Sequence, residues 1–137
     1  MGIGGLANVK ISGCEFTGTK YGASFSGGTI EVENSAFFLQ ADKASTEHYA
    51  ALSITSERQY ATSVTLKGGE IQTIGDYADN YPSMYVTANP EKSVNITYDD
   101  VYFGKGAYTP KVEFGTTNIT VNGKPVIEQD GQFVLAE

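Results

Sequence analysis

The sequence predicts an all-β fold built as a solenoid of about five coils over its 137 residues. A frame of two alternating apolar residues, a turn residue and a third apolar residue occurs five times along the chain. The distance between successive frames varies although the frame is kept, which is typical of coils that share an inner surface and differ in their corner loops. The five frames are Val9, Ile11, Gly13 and Phe16; Ile30, Val32, Asn34 and Phe37; Val64, Leu66, Gly68 and Ile71; Val94, Ile96, Tyr98 and Val101; and Ile119, Val121, Gly123 and Val126.

Each coil is predicted to contain three short strands. The first two apolar residues of a frame lie on one strand, and the last apolar residue lies on a second strand beyond the turn residue. Glycine or asparagine, which turn a chain sharply with little strain, occupies the turn in four frames, and Tyr98 is the exception. A further alternating apolar pair follows each frame and predicts the third strand. These pairs are Ala23 and Phe25, Leu52 and Ile54, Met84 and Val86, Val112 and Phe114, and Phe133 and Leu135.

The coils resemble those of the right-handed parallel β-helix of the pectate-lyase-like superfamily, in which the three strands of one coil stack on the same strands of the next. The resemblance covers nearly the whole chain and implies one domain over residues 1–137, with solenoid coils over residues 1–117. Valine, isoleucine, leucine and phenylalanine suit the inner positions, because each inner residue stacks on its equivalent about 4.8 Å away. The resemblance implies little about activity, because the superfamily contains lyases, hydrolases, phage tailspikes and surface adhesins.

Alternatives remain for the pairing of strands and for both ends of the chain. Asn122-Gly123 and Asp130-Gly131 are typical of two-residue hairpin turns and favour a β-sandwich. Within the solenoid, residues 118–137 are predicted to be either a last coil or an antiparallel cap that covers the sheet edge. At the other end, the stretch from Ile3 to Leu6 carries no charged cover, which predicts that the chain is the C-terminal piece of a longer solenoid with coils upstream.

Composition excludes several classes of partner and site. With 16 acidic against 9 basic residues and a net charge of −7, the field of the chain repels nucleic acid and anionic membrane surfaces. No apolar run approaches the roughly 18 residues of a membrane span. One cysteine and one histidine exclude a disulfide framework and a cysteine-rich zinc site. The single cysteine, Cys14, follows a turn residue close to an inner position and is predicted to be a buried structural thiol.

A candidate binding site lies in the loops between the second and third strands of each coil. These connections grow to residues 40–50, 74–83 and 104–110, and insertions of this kind stack on one flank of a solenoid. Tyrosine rings cover the apolar face of a sugar while short polar side chains meet its hydroxyls, so the flank predicts a carbohydrate site. The alternative is that these side chains only keep protruding loops soluble and ordered. The candidate ligand-binding residues are His48, Tyr49, Asp76, Tyr77, Asp79, Asn80, Tyr81 and Tyr108.

No catalytic constellation of the superfamily is present in the sequence. Its polygalacturonase-like hydrolases use an Asn-Thr-Asp, an Asp-Asp, a Gly-His-Gly and an Arg-Ile-Lys motif, and only Asp99-Asp100 has a counterpart here. Its calcium-dependent lyases imply Asp76, Asp79 and Asn80 as oxygen ligands, but a calcium site usually takes six to eight oxygens. We therefore predict no catalytic residues, no metal site and no cofactor, with calcium as the alternative.

These observations together predict a non-catalytic module that binds a carbohydrate or a surface protein through the loop flank. The resemblance implies an extracellular or cell-surface location. One alternative is the C-terminal fragment of a polysaccharide lyase or glycoside hydrolase whose catalytic coils lie upstream. Another is a trimeric stalk of a phage or adhesin.

Overall fold

The computed structural model describes residues 1–44, 49–56, 59–81, 83–87, 92, 94–103, 111–112, 117–121, 124–129 and 132–135. In these residues the chain forms β-strands and one short 3₁₀ helix, Ala78–Asn80, and no helix among them is long and apolar enough to cross a membrane. The strands are β1 (Gly2–Gly4), β2 (Asn8–Ser12), β3 (Glu15–Gly18), β4 (Tyr21–Ser26), β5 (Gly28–Glu33), β6 (Ala36–Gln40), β7 (Ala50–Thr55), β8 (Thr62–Lys67), β9 (Glu70–Ile74), β10 (Met84–Thr87), β11 (Val94–Asp99), β12 (Tyr102–Phe103), β13 (Lys111–Val112), β14 (Thr117–Val121), β15 (Lys124–Gln129) and β16 (Gln132–Leu135).

The strands form three stacks of parallel strands. Sheet I contains β2, β5, β8, β11 and β14, sheet II contains β3, β6, β9 and β12, and sheet III contains β1, β4, β7, β10 and β13. Every neighbouring pair within these stacks is parallel, and each strand pairs with the strand at the same place in the next coil. This connectivity is that of a parallel β-solenoid. It does not fit the β-sandwich alternative, in which consecutive strands would pair antiparallel.

The core lies between the three sheets, where equivalent residues of successive coils stack. In sheet I, Ile30 pairs with Val9 on one side and Val64 on the other, as the sequence frames predict. Phe37 of sheet II is 1% exposed and contacts the rings of Phe16 and Phe25 at centroid distances of 5.3 and 6.1 Å. Alternation along each strand therefore places the frame residues inside.

The fourth coil is aligned two residues further along than the sequence frames predict. Ile96, and not Val94, pairs with Val64, and Tyr98 pairs with Leu66. Tyr98 is therefore an inner residue of sheet I and not a turn residue. Burial raises the pKa of its phenol, because a phenolate would lose its hydration in the core.

The turn residue of the fourth coil is Asp100. Its φ of +53° matches the φ of +50° at Asn34, and both values lie in the left-handed region that asparagine and aspartate tolerate better than other side chains do. Gly13 and Gly68 occupy the same place in the other two coils, with φ of +64° and +65°. The turns are joined along the solenoid, because the N–H of Asn34 donates to the carbonyl oxygen of Lys67 at 2.8 Å.

Two of the predicted third strands also differ from the structure. Val112 pairs with Val86 and not with Met84, so this strand is shifted by two residues, and Phe114 lies outside the described residues. Phe133 and Leu135 are not in sheet III, because β16 pairs antiparallel with β15. Strand β15 in turn pairs antiparallel with β14, which is the arrangement of the cap alternative for residues 118–137.

Cys14 is exposed, and the prediction of a buried thiol is wrong. The left-handed turn at Gly13 interrupts the alternation of inner and outer residues, so the next inner residue is Phe16 and not Cys14. The Cys14 N–H donates to Ser35 Oγ at 3.1 Å, and its thiol donates to the carbonyl oxygen of Ser12 at 3.4 Å.

We expect iodoacetamide to alkylate Cys14 in the folded protein at a rate within about tenfold of that of the urea-unfolded chain, because its thiol is accessible. Mass spectrometry of timed samples measures the rate of alkylation. Because the chain contains no other cysteine, all thiol alkylation is at Cys14. Alkylation that occurs only when the protein is unfolded would contradict the exposed position.

Candidate ligand-binding cleft

A cleft of about 440 Å³ lies at the corner where the chain passes from sheet II to sheet III. Three successive coils contribute to it, through the short turn between β3 and β4, the loop after β6, and the loop after β9. Its lining consists of Thr19, Lys20, Leu39, Gln40, Ala41, Asp42, Lys43, Ala44, Tyr49 and Tyr81.

Three tyrosines stack along this corner, one from each coil. Tyr21 begins β4 and Tyr49 immediately precedes β7, and their rings meet edge to face at a centroid distance of 6.0 Å. Tyr81 precedes β10 and stacks on Tyr49 at 6.1 Å with an angle of 29° between the rings. Exposure falls along the stack, from 38% at Tyr21 to 8% at Tyr81. The buried Tyr81 therefore mainly packs against Tyr49. Of the two tyrosines that line the cleft, the half-buried Tyr49 is the more accessible to a ligand.

Hydrogen bonds tie the loop after β6 to the following coil. The phenol of Tyr81 donates to the carbonyl oxygen of Lys43 at 2.8 Å. The N–H of Ala41 donates to the carbonyl oxygen of Ile74 at 2.8 Å, and the N–H of Tyr77 donates back to the carbonyl oxygen of Ala41 at 2.9 Å. One wall of the cleft is therefore held in a defined position over residues 41–43.

The polar side chains of the cleft offer both donors and acceptors. Gln40 Nε2 donates to Asp42 Oδ1 at 2.7 Å, which fixes the orientation of both side chains. Lys20 and Lys43 are exposed at the cleft, as is Thr19. The described lining thus combines two tyrosine rings, an amide, a threonine hydroxyl, one carboxylate and two ammonium groups, a set that can bind a ligand rich in hydroxyls.

No known protein family, curated protein or solved structure matches this chain. Membership of the pectate-lyase-like superfamily therefore stays a prediction from the coil pattern, and the structure shows a parallel strand pairing that is compatible with a β-helix. We therefore infer the class of ligand from the side chains that line the cleft.

The cleft brings together only part of the predicted site. Tyr49 and Tyr81 line it, whereas Asp76, Tyr77 and Asn80 are exposed on the adjoining loop, with Tyr77 39% exposed. Three predicted residues can be placed only in part or not at all. Asp79 lies in the 3₁₀ helix but its side chain is not described, and His48 and Tyr108 lie outside the described residues.

The candidate ligand-binding residues do not include five polar residues that line the cleft, namely Thr19, Lys20, Gln40, Asp42 and Lys43. They also do not include Tyr21, whose ring packs against Tyr49. The first corner loop is short, so a search for insertions does not find Thr19 and Lys20. Tyr21 could have been found, because a tyrosine recurs shortly before the third strand of successive coils.

No group of three or more histidine, cysteine, aspartate or glutamate side chains among the described residues is placed to hold a metal ion. Asp76 and Asn80 are both exposed near the cleft. Because the Asp79 side chain is not described, calcium binding by these three residues stays the alternative to the prediction of no metal site.

Proposed function

We propose that this chain is a non-catalytic module of an extracellular or cell-surface protein, built as a right-handed parallel β-helix, and that it binds a glycan in the cleft between sheets II and III. The observation that supports this most is the cleft itself, which joins an aromatic ring to a set of hydrogen-bonding side chains. Its volume of about 440 Å³ is within the range of roughly 300–1,000 Å³ that is usual for small-ligand sites.

The aromatic part of the cleft suits the apolar face of a sugar ring. Tyr49 is half-buried and is held between Tyr21 and Tyr81, so its orientation is fixed before a ligand arrives. A ring that is already ordered loses little entropy on binding. Tyr81 contributes by holding Tyr49 and the Lys43 backbone in place.

The polar part of the cleft suits sugar hydroxyls. Such hydroxyls both donate and accept, and the Asp42 carboxylate, the Gln40 amide and the Thr19 hydroxyl are complementary to them. The bond from Gln40 to Asp42 orients these two groups in advance. The exposed Tyr77, Asp76 and Asn80 on the next loop can extend the contact beyond a first sugar unit.

We expect binding of a glycan to weaken about tenfold when Gln40→Ala and Asp42→Ala are combined, because two ordered hydrogen-bonding groups are lost. Both side chains are at the surface, so the fold should be retained. The wild-type chain is first tested on an array of neutral and acidic glycans, and the affinity for the best ligand is then measured by calorimetry.

A matched control changes Thr29→Ala and Glu31→Ala, which are exposed on β5 of sheet I and also remove one neutral polar side chain and one carboxylate. This variant should bind as the wild type does. Tyr49→Leu keeps apolar packing but removes the ring, and it should also weaken binding. Absence of binding to every glycan, or equal binding by the wild-type and cleft variants, would contradict the proposal.

A further inference from the structure

A second recess lies at the other end of sheet II, at the bend where the chain leaves sheet I. We call it the notch. It has a volume of about 430 Å³ and is separate in its residues from the cleft. Its lining consists of Gly13, Cys14, Glu15, Asn34, Ser35, Ala36, Gly69, Glu70 and Tyr102.

The notch is formed by one outward row of sheet II. Glu15 pairs with Ala36, Ala36 pairs with Glu70, and Glu70 pairs with Tyr102, so these four residues follow one another on adjacent strands. Their neighbours along the strands, such as Phe37, point into the core. The row therefore faces outward.

The small side chain of Ala36 leaves a gap between two carboxylates. Adjacent strands are about 4.8 Å apart, so the backbones of Glu15 and Glu70 are on the order of 10 Å apart. The only side chain between them is the methyl group of Ala36, and the small residues Ser35 and Gly69 also line the notch. A long side chain from outside can enter this gap and meet both carboxylates.

The charge of the notch is negative. Its lining contains two carboxylates and no cationic side chain among the residues that the structure describes. Gln72 Nε2 donates to Glu70 Oε2 at 2.7 Å, which orients that carboxylate. The ring of Tyr102 is 61% exposed beside Glu70, where it can lie against a guanidinium or ammonium group.

The outer face of sheet II continues beyond the notch. The next outward row contains Thr17, Phe38 and Gln72, and Phe38 is a half-buried apolar residue on this outer face. A ligand that extends from the notch along the strand direction therefore meets an apolar contact. This favours a polypeptide over a small free amine.

We propose that the notch binds an arginine or lysine side chain of a polypeptide partner that lies on the outer face of sheet II. The cation sits over Ala36 between Glu15 and Glu70, with Tyr102 at one side. The net charge of −7 also favours the approach of a basic partner. This site does not depend on glycan binding in the cleft.

The test uses a fluorescently labelled peptide that alternates arginine with serine, and a matched peptide that alternates glutamate with serine. Fluorescence anisotropy at low salt should show binding of the arginine peptide only. Glu15→Gln combined with Glu70→Gln should weaken it about tenfold, because each exposed charge pair contributes a few-fold. The control variant, Glu31→Gln with Asp99→Asn, removes the same charge from sheet I and should bind as the wild type does.

Two further measurements locate the contact. Bound peptide should slow the alkylation of Cys14, since this exposed residue lines the notch. Ala36→Lys places an ammonium group in the gap and should abolish binding, whereas Thr29→Lys adds the same charge on sheet I and should reduce it less than threefold. These lysine variants keep both carboxylates, so they test the site even if the double glutamine variant folds poorly.

Several outcomes would overturn the proposal. If the wild-type chain does not bind the arginine peptide, there is no cation site. If the notch and control variants lose binding equally, the attraction comes from the overall charge. If arginine amide binds as tightly as the peptide, the notch is a small-cation site and the face of sheet II takes no part.

Discussion

Gly69→Ala is expected to lower the free energy of unfolding by about 4 kcal/mol, because an alanine at this turn has no room and the wrong backbone conformation. Gly69 has a φ of +84°, and a β-carbon there would overlap the carbonyl oxygen of Ser35 and lie 2.8 Å from its nitrogen. These are backbone atoms and cannot rotate away. The same Ser35 oxygen accepts the N–H of Glu70 at 3.1 Å, so moving it breaks a bond between coils.

Gly13 provides the matched control for this substitution. It occupies the turn of the first coil with a φ of +64°, but a β-carbon there would meet nothing within 4 Å. Gly13→Ala should therefore cost about 1 kcal/mol, which is the penalty of a left-handed alanine alone. Urea unfolding followed by circular dichroism measures both changes. Equal losses in the two variants would show that conformation alone matters and that the close stacking of Gly69 on Ser35 is absent.

The inner frames of the first three coils could be predicted because each is marked by apolar residues and a turn residue at fixed places. Val9, Ile30 and Val64 pair in the predicted register. The stability cost of a substitution is harder to predict than the register. Gly68 and Gly69 of the third turn, for example, look alike in the sequence. Only the packing of one coil on the next shows that a β-carbon on Gly69 strikes backbone.

The fourth coil could not be aligned from its own residues. Val94, Ile96 and Tyr98 are three alternating apolar residues, and all three are buried, so periodicity permits two registers. Pairing with β8 selects one of them. The prediction looks for glycine or asparagine at the turn and accepts Tyr98 as an exception, whereas Asp100 in a left-handed conformation occupies the turn.

The candidate site could be predicted to a flank but not to a set of side chains. Loop length indicates the corner between sheets II and III, where the cleft lies, because insertions in a solenoid project from its corners. It does not indicate which tyrosine is buried by its neighbours. Tyr81 has its hydroxyl bonded to a backbone carbonyl and is 8% exposed, whereas Tyr77, four residues earlier, is 39% exposed.

The notch could be predicted only in part. Glu15, Ala36 and Glu70 each come directly before the last apolar residue of a predicted frame, so the frames of the first three coils already align them. Parallel strands place these residues side by side in register. Tyr102 could not be added to the row, because the predicted frame of the fourth coil ends at Val101 and places Asp100, not Tyr102, beside Glu70.

Phe37→Ala is expected to lower the free energy of unfolding by about 3–5 kcal/mol, since a large side chain is removed from a core that cannot collapse around the gap. Phe37 is 1% exposed and joins two sheets, because its ring stacks on Phe16 of sheet II and meets Phe25 of sheet III edge to face. Alanine leaves both rings without this partner, so the loss includes aromatic contacts as well as buried area.

The adjacent residue tests whether this loss comes from the interior position. Phe38 has the same side chain but lies on the outer face of β6 and is only half-buried, so Phe38→Ala should cost less than about 1.5 kcal/mol. The two variants differ by one position on one strand, so any effect of phenylalanine on strand formation is shared between them. Chemical unfolding of both measures the difference. Equal losses, or a larger loss for Phe38, would mean that β6 is turned over and that the alternation which defines the inside of this solenoid is wrong.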